Sequence, residues 1–493
     1  MTVLTKLMPP LSLLVFSSFL MCRFTLCEEK APKIAIIGGG IGGASAAHYC
    51  RELFGKDTTI DLYEAEQVGG RLRTITIDGK KYDSGGTILH PRNFYMKNFT
   101  KMLELDTVDH KGGVLGIYDG KEFVFTGSKY SLVMLSKLLW RYGYDVIRLN
   151  FFIQDLLSKF SRIYDLQDQG MAFTSTSGLL KAMSPKFEEM THISTKAALS
   201  EAGFSEKFIK ELVGGALMSN YGQTTNVQGF VGSVSIAGAE PGLWSVEGGN
   251  NRVPEGLIKE AKVNLNMAVV TDITLTGKQY EVQYLNKDSS SPVKKAYDIV
   301  IIATPFHQDS KKVNFHGFPE TPKTYQDFHR TVATYVRGVP NISKFGQQRL
   351  DDLPTAILVS NPNLIFNSIG LQRPVDKKYR NPDGTVDKSH PVYKVFSQEP
   401  LSDEQLGELF TTIDSKDVVD WMAYPHYKSS EKLLNFQLHD QMYYLNSIEL
   451  AASCMETSAI GGRNVALLAY NRWFGIQGKI DNLPKTSGGK TEL

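Results

Sequence analysis

The chain has 493 residues, 42% hydrophobic and 22% charged, and its 54 Lys and Arg against 52 Asp and Glu leave a formal net charge of +2. That balance describes a globular protein with a large core in two or three structural domains, and it excludes a disordered or fibrous chain. With no basic field to neutralise a phosphate backbone, nucleic acid is not expected as a partner.

The N-terminus reads as a targeting segment. Lys6 precedes an apolar stretch from Leu11 to Cys22, and a polar run begins at Glu28. Pro9 and Pro10 interrupt the segment, and Arg23 ends it short of the ~20 apolar residues a membrane span needs, so residues 1–27 are expected to be a cleaved signal peptide. Asn98 and Asn341 each open an Asn-x-Ser/Thr triplet and are the expected glycan acceptors. The terminal Lys490 to Leu493 differs by one residue from an endoplasmic-reticulum retrieval signal, which keeps that compartment as an alternative.

Lys33 to Ile37 is a short β-rich apolar run, Ile41 to Arg51 has the small-residue content of a helix packed closely on a strand, and Thr59 to Glu64 alternates as a second strand. This is a β-α-β unit. From Ser131 to Tyr164 the period becomes helical and rich in aromatic residues, which suits a helix facing its own core better than a lipid-facing surface. Lys278 to Leu285 and Asp298 to Ala303 read as strands joined by a polar loop. Further strands are expected at Val332 to Arg337, Ala356 to Ser360, Leu364 to Ile369 and Val392 to Ser397, with a surface loop from Arg373 to Pro391. Gln441 to Asn446 is a strand that leads past Glu449 into a helix ending near Trp473.

Gly38, Gly40 and Gly43 lie between the first strand and the first helix, the context in which a Gly-x-Gly-x-x-Gly spacing carries meaning. Gly38 permits the tight turn, Gly40 lets backbone approach a pyrophosphate, and Gly43 allows helix and strand to pack while the helix N-terminus faces the anion. Glu64, 21 residues past Gly43, closes the second strand, where it can accept hydrogen bonds from a ribose. A dinucleotide is the expected ligand.

Val68 to Arg71 resembles the second fingerprint of flavoproteins in the amine oxidase and carotenoid desaturase superfamily. In that resemblance Gly70 and Arg71 meet the pyrophosphate, and Gly85 and Gly86, after Tyr82 to Ser84, belong to the loop beside the isoalloxazine ring. Asn446 to Glu449 and Ala451 to Glu456 resemble the C-terminal flavin motif. Glu449 would meet the ribityl chain, Met455 would belong to the same cofactor site, and the helix N-terminus that follows Glu449 would stabilise negative charge on reduced flavin. The implied fold is α/β: a Rossmann-type FAD-binding domain of the glutathione-reductase/amine-oxidase superfamily, formed by 33–105, 240–312 and 436–475. An α+β substrate domain is inserted from 106–239 and 313–435, and 476–493 form a tail.

Gly242 to Asn250, together with Arg141 to Gly143, Gly203 to Phe208, Asn220 to Gln223 and Tyr424 to Lys428, resembles the prenylcysteine oxidase family, also called prenylcysteine lyase, including its oxidase-like branch. The resemblance runs from about Lys33 to the C-terminus. It implies FAD as cofactor and oxidative cleavage of the thioether of farnesyl- or geranylgeranylcysteine, with oxygen as acceptor, to a prenyl aldehyde, cysteine and hydrogen peroxide. It also implies a lysosomal protein, with secretion as an alternative. Sulfur stabilises the adjacent carbon as hydride leaves, so no strong side-chain base and no metal are expected. The expected partners are the small-molecule prenylcysteine and oxygen, with no obligate protein partner; peripheral membrane or lipoprotein association stays open.

His90, His426 and His439 are more simply structural than catalytic. His90 ranks first as a catalytic candidate because its loop resembles one beside the flavin. Cys454 is expected to be a buried, inert thiol, and its pairing with Cys50 stays open. A prenyl chain calls for an apolar tunnel, with Phe151 to Tyr164 and the Trp244 segment as its walls. Two other readings remain: a flavin amine or polyene oxidoreductase, and a non-catalytic prenyl-binding protein like the Rab escort proteins. The signal segment, and the joint presence of Glu64, Arg71 and Glu449, count against the second.

Overall fold

Lys33–Ile37 forms the central strand, β1, because Ile34 to Ile37 are all apolar and it lies between two parallel neighbours, β2 (Thr59–Glu64) and Ile299–Ile302. Alternation sends Ile34 and Ile36 to the face covered by helix α1 (Ile41–Phe54), and sends Ala35 and Ile37 to the opposite face beside Tyr63, Val270 and Tyr280. A strand covered on both faces has no solvent side to carry polar residues. The computed structural model describes residues 31–110, 113–238, 240–380 and 391–483. The expected signal peptide and the terminal Lys490 to Leu493 lie outside them.

Among the described residues the first sheet has nine strands. Its order is Val293–Tyr297, Gln279–Asn286, Asn264–Thr276, β2, β1, Ile299–Ile302, Met442–Tyr444 and Gln437–His439, with Asn314–His316 also paired to Asn264–Thr276. That last pairing carries this sheet past the boundary expected at 312. Asn264–Thr276 is long, and β2 uses only Asn264 to Met267, so its free edge from Asp272 to Thr274 accepts Asn314–His316. Thr107–Asp109 likewise pairs with Trp244–Val246 across the boundary expected at 106.

The second sheet runs, among the described residues, in the order Phe410–Pro425, Phe328–Pro340, Val392–Ser397, Ser368–Leu371, Ala356–Val359, Leu115–Tyr118 and Phe123–Thr126. The strand expected at Leu364 to Ile369 starts late, because Asn361 to Leu364 closes a turn. Phe410–Pro425 was not anticipated. It carries Asp414, Lys416, Asp417 and Asp420, which suit an exposed edge strand that must not pair with another chain.

The helical stretch from Ser131 divides into Ser131–Tyr142 and Asp145–Asp168, broken at Gly143, where φ is 57°. α1 packs on the terminal helix Met455–Trp473 through small residues. A Cβ at Gly462 would stand 2.8 Å from the Gly42 carbonyl oxygen. Among the described residues no helix is long and apolar enough to cross a membrane.

Candidate cofactor and substrate cleft

One cavity of about 1840 Å³ runs between the two sheets, from the loop after β1 to the helix Asp145–Asp168. A single small ligand typically occupies about 300–1,000 Å³, so there is room for a dinucleotide and a second molecule.

The glycine loop forms one end. Gly38 has φ 110° and donates its amide to the Tyr63 carbonyl at 2.8 Å. A Cβ at Gly43 would lie 2.0 Å from the Gly38 carbonyl oxygen, whereas one at Gly40 would meet nothing closer than 3.9 Å and would project into open space. α1 has no side-chain cap, so its first amides are free to bind an anion. Glu64 accepts from the amides of Gly39 and Glu66, each at 2.8 Å. Two of the roughly four lone-pair positions of its carboxylate stay available at the cavity wall. Gly69 donates to the Gly39 carbonyl at 2.9 Å, and a Cβ at Gly70 would come within 3.3 Å of Gly40 Cα, so the two fingerprints stack backbone on backbone.

Arg71 and Glu449, expected to meet different parts of the cofactor, also meet each other. Arg71 Nη2 donates to Glu449 Oε1, and Asn446 Nδ2 donates to the same oxygen at 2.9 Å. Glu449 Oε2 and Asn446 Oδ1 are buried and have no hydrogen-bond partner. Both residues line the cavity, so two orphaned acceptors there call for donors, and the ribityl chain of FAD carries hydroxyl groups that can supply them. The residues present fit the cofactor. Gly85 and Gly86 line the wall, and protein contacts exclude side chains there. A Cβ at Gly85 would lie 1.8 Å from the Arg71 carbonyl oxygen, and one at Gly86 would lie 2.8 Å from Leu72 Cδ2 and 3.5 Å from Met455 Cε.

Met455 opens the terminal helix at the cavity, and Cys454 is its N-cap. The Cys454 thiol accepts from Thr457 N at 3.4 Å, and burial pushes its pKa up, which keeps it a capping thiol. Cys50 is also unpaired, buried within α1 and pushed up to about 12. The two do not form a disulfide.

His90 lines the cavity with both ring nitrogens engaged. Arg92 N donates to Nδ1 at 3.1 Å, so Nε2 carries the proton toward Glu240 Oε2, also at 3.1 Å. Burial lowers its pKa despite that carboxylate, and with Nδ1 accepting from Arg92 both ring nitrogens are already committed. His426 and His439 do not line the cavity; His439 Nδ1 lies 2.7 Å from the Tyr280 hydroxyl. Tyr424 to Lys428 carries part of the family resemblance, and of its residues Tyr424 is the one that reaches the cavity. It packs on Tyr221 with ring centroids 4.9 Å apart. His307, stacked on Phe328 at 5.0 Å, is a further wall residue with no local sequence signal.

The other end is apolar. Leu156, Leu157, Phe160, Leu212, Val234 and Leu358 line it. Of the expected walls, Phe151 points to solvent, Tyr164 donates to Glu456 at 2.7 Å, and Trp244 sits behind Leu243, donating to the His90 carbonyl at 3.1 Å. Glu456 also accepts from the amides of Tyr95 and Met96, which places its carboxyl at the start of the helix Phe94–Met102.

Residues 125–482 match the family model described as prenylcysteine lyase, and residues 36–104 match that of an NAD(P)-binding Rossmann-like domain. The chain belongs to the prenylcysteine lyase family. It is 43% identical over 482 residues to human prenylcysteine oxidase 1 and 38% identical over 477 residues to human prenylcysteine oxidase 1-like, in each case across 94% of both chains. Its fold is that of cyclohexylamine oxidase from Brevibacterium oxydans, with a TM-score of 0.54 at 13% identity over 90% of this chain and 99% of the other. In this member of the prenylcysteine lyase family, the Rossmann match carries Gly38 to Arg71 and Gly85 to Gly86. The lyase match carries the apolar end, Tyr424, Glu449 and Met455. FAD is the protein's cofactor, and the cleft has residues that fit it.

Proposed function

We propose that the protein is an FAD-dependent thioether oxidase that converts a prenylcysteine, water and molecular oxygen into a prenyl aldehyde, cysteine and hydrogen peroxide. The observation that carries this reading is one continuous cavity with the glycine loop, Asn446 and Glu449 at one end and Leu156, Leu157, Phe160 and Leu212 at the other. Bound FAD supplies the two-electron acceptor. The free amides that open α1 hold phosphate charge, and Arg71 adds a cation there while Glu449 orients it. The leucines and Phe160 hold the prenyl chain and exclude bulk water. The N-terminus of Met455–Trp473 presents its positive end to charge that develops nearby. His90, engaged at both nitrogens, orders the loop that follows Gly86 instead of taking a proton.

Anaerobic addition of farnesylcysteine to the yellow holoprotein tests the reading. The flavin absorbance should bleach with one aldehyde and one cysteine released per flavin, and oxygen should restore the colour with formation of peroxide. Bleaching by a simple amine but not by farnesylcysteine would overturn it.

The same reading places the protein in the secretory route, with the lysosome first. Burial raises Asp83 and Glu456 each to about 7, so an acidic lumen suits both buried carboxyls, which are neutral there. Asn98 is exposed and is the proposed glycan site, while Asn341 Nδ2 donates to the Glu408 carbonyl at 3.1 Å. An unshifted band after glycosidase treatment, with Met1 retained, would overturn this placement.

We also propose that the protein rests on a lipid surface. Leu132, Leu135, Trp140, Tyr144 and Phe151 are exposed along Ser131–Tyr142 and the start of Asp145–Asp168, and Trp140 is 94% exposed. The second of those helices also lines the apolar end of the cavity, which favours delivery of a lipid-like substrate.

A further inference from the structure

Among the described residues, Lys394 is the one lysine or arginine that the fold buries, at 8% exposure, and it stands on the cavity wall. Its position follows from register. In Val392–Ser397 it lies opposite Tyr335 on one side and Gly370 on the other. Tyr393 and Val395 enter the core on the far face of the sheet, so alternation turns Lys394 and Phe396 toward the cavity. A lysine in the middle of an otherwise apolar strand is costly unless something answers its charge.

Among the described residues nothing does so directly. The Lys394 ammonium carries three donors, yet among the described residues no acceptor lies within hydrogen-bond distance of Nζ and no carboxylate within ion-pair distance. It lies over the rings of Phe396 and Tyr335, 4.8 and 5.7 Å from their centroids. Asp83 attracts it from beyond ion-pair reach, and that carboxyl is itself pushed up to about 7 by burial. Burial lowers Lys394 only to about 8, so it is protonated at neutral and acidic pH. The arginines on the same wall have partners: Arg71 with Glu449, Arg73 with Glu66, and Arg330 with Asp420 and Glu399.

We infer that Lys394 is the anion subsite of the cleft, receiving the α-carboxylate of a substrate whose hydrocarbon chain lies along Leu156, Leu157 and Phe160. The inference rests on the proposed prenylcysteine activity and deepens it by naming the group that holds the amino-acid end. Lys394 acts as a specificity-determining residue, and the carboxylate supplies the acceptor that the fold leaves out.

Steady-state kinetics of FAD-loaded Lys394→Met with farnesylcysteine and with its methyl ester test this. The KM for the acid should rise on the order of 10- to 100-fold, the loss of one charge-assisted hydrogen bond, while the KM for the ester moves less than about threefold. Flavin content should stay at the wild-type level, and Lys394→Arg should recover part of the preference for the acid. Equal losses on acid and ester, a loss of flavin, or an unchanged KM for the acid would overturn the assignment. If Lys394→Met does not fold, competition binding to the wild-type holoenzyme decides. S-farnesyl-3-mercaptopropionate, which keeps the carboxylate and lacks the amine, should compete at least about tenfold better than S-farnesylcysteamine, which keeps only the amine. The reverse order overturns the assignment. Failure of wild-type enzyme to oxidise either acid or ester would refute the proposed activity alone, and the competition assay would still decide the subsite.

Discussion

Arg71 and Glu449 are 378 residues apart in the chain, yet Arg71 Nη2 donates to Glu449 Oε1 while Arg71 Nη1 donates to the Ala423 carbonyl at 2.6 Å. The pair joins the second fingerprint to the terminal flavin motif, and to the last residues of the long edge strand of the second sheet. Glu449 is 2% exposed and Arg71 30%. Glu449→Ala should destabilise the protein by about 1–3 kcal/mol, less than the ~3–5 of a wholly buried pair because Arg71 keeps contact with water. It should also lower the flavin-to-protein ratio. Denaturant titration of the flavin-free form, with flavin absorbance of the purified form, checks both. Unchanged stability would show that water answers Arg71 as well as Glu449 does.

The glycines of the first loop should separate into two classes. Gly40→Val places its side chain in open cavity space, so the variant should fold with wild-type stability and fail to retain FAD. Gly43→Ala forces a Cβ to 2.0 Å from the Gly38 carbonyl, so helix and strand must move apart, at a cost of about 1–3 kcal/mol or more. Thermal melts of the flavin-free proteins distinguish the two. Equal melting temperatures would refute the separation.

Burial raises Glu456 from its ordinary 4.5 to about 7. A carboxyl with a raised folded-state pKa contributes stability that is fully present below pH 4.5 and is lost as pH rises through about 7. The melting temperature should therefore fall between pH 5 and pH 8, and Glu456→Gln should make that fall smaller. Asp83, also raised to about 7, keeps its own share of the slope in the variant. An equal or steeper fall in Glu456→Gln would contradict this assignment.

If the exposed face of Ser131–Tyr142 rests on lipid, replacing Leu132 and Trp140 together by serine should weaken binding to phosphatidylcholine vesicles containing phosphatidylserine by at least about tenfold. Flavin content and oxidation of detergent-dispersed substrate should not change. Vesicle flotation and peroxide release measure the two. Undiminished flotation would assign the face elsewhere.

The sequence by itself determined the elements whose cause is local. β1 and β2 keep the expected bounds, Val392–Ser397 does too, and the terminal helix ends at Trp473 as expected. An apolar run bounded by turn residues admits few alternatives, and the spacing of Gly38, Gly40 and Gly43 follows from turn and close-packing geometry over a few residues. The motifs that resemble the family also lie within short stretches, so the family could be read before the fold.

Only the tertiary structure decided which of those residues meet. Phe410–Pro425 carries no strand signal in its sequence because an edge strand can be charged, and Asn314–His316 joins the first sheet because Asn264–Thr276 extends beyond β2. His90 lost its claim to be a base when Arg92 N and Glu240 took both ring nitrogens. Lys394 reads as an ordinary lysine within a strand until sheet register turns it into the cavity. Hydrophobic period and backbone geometry act over neighbouring residues, whereas burial and charge pairing depend on which strands lie side by side. That choice is made by contacts between residues tens to hundreds of positions apart.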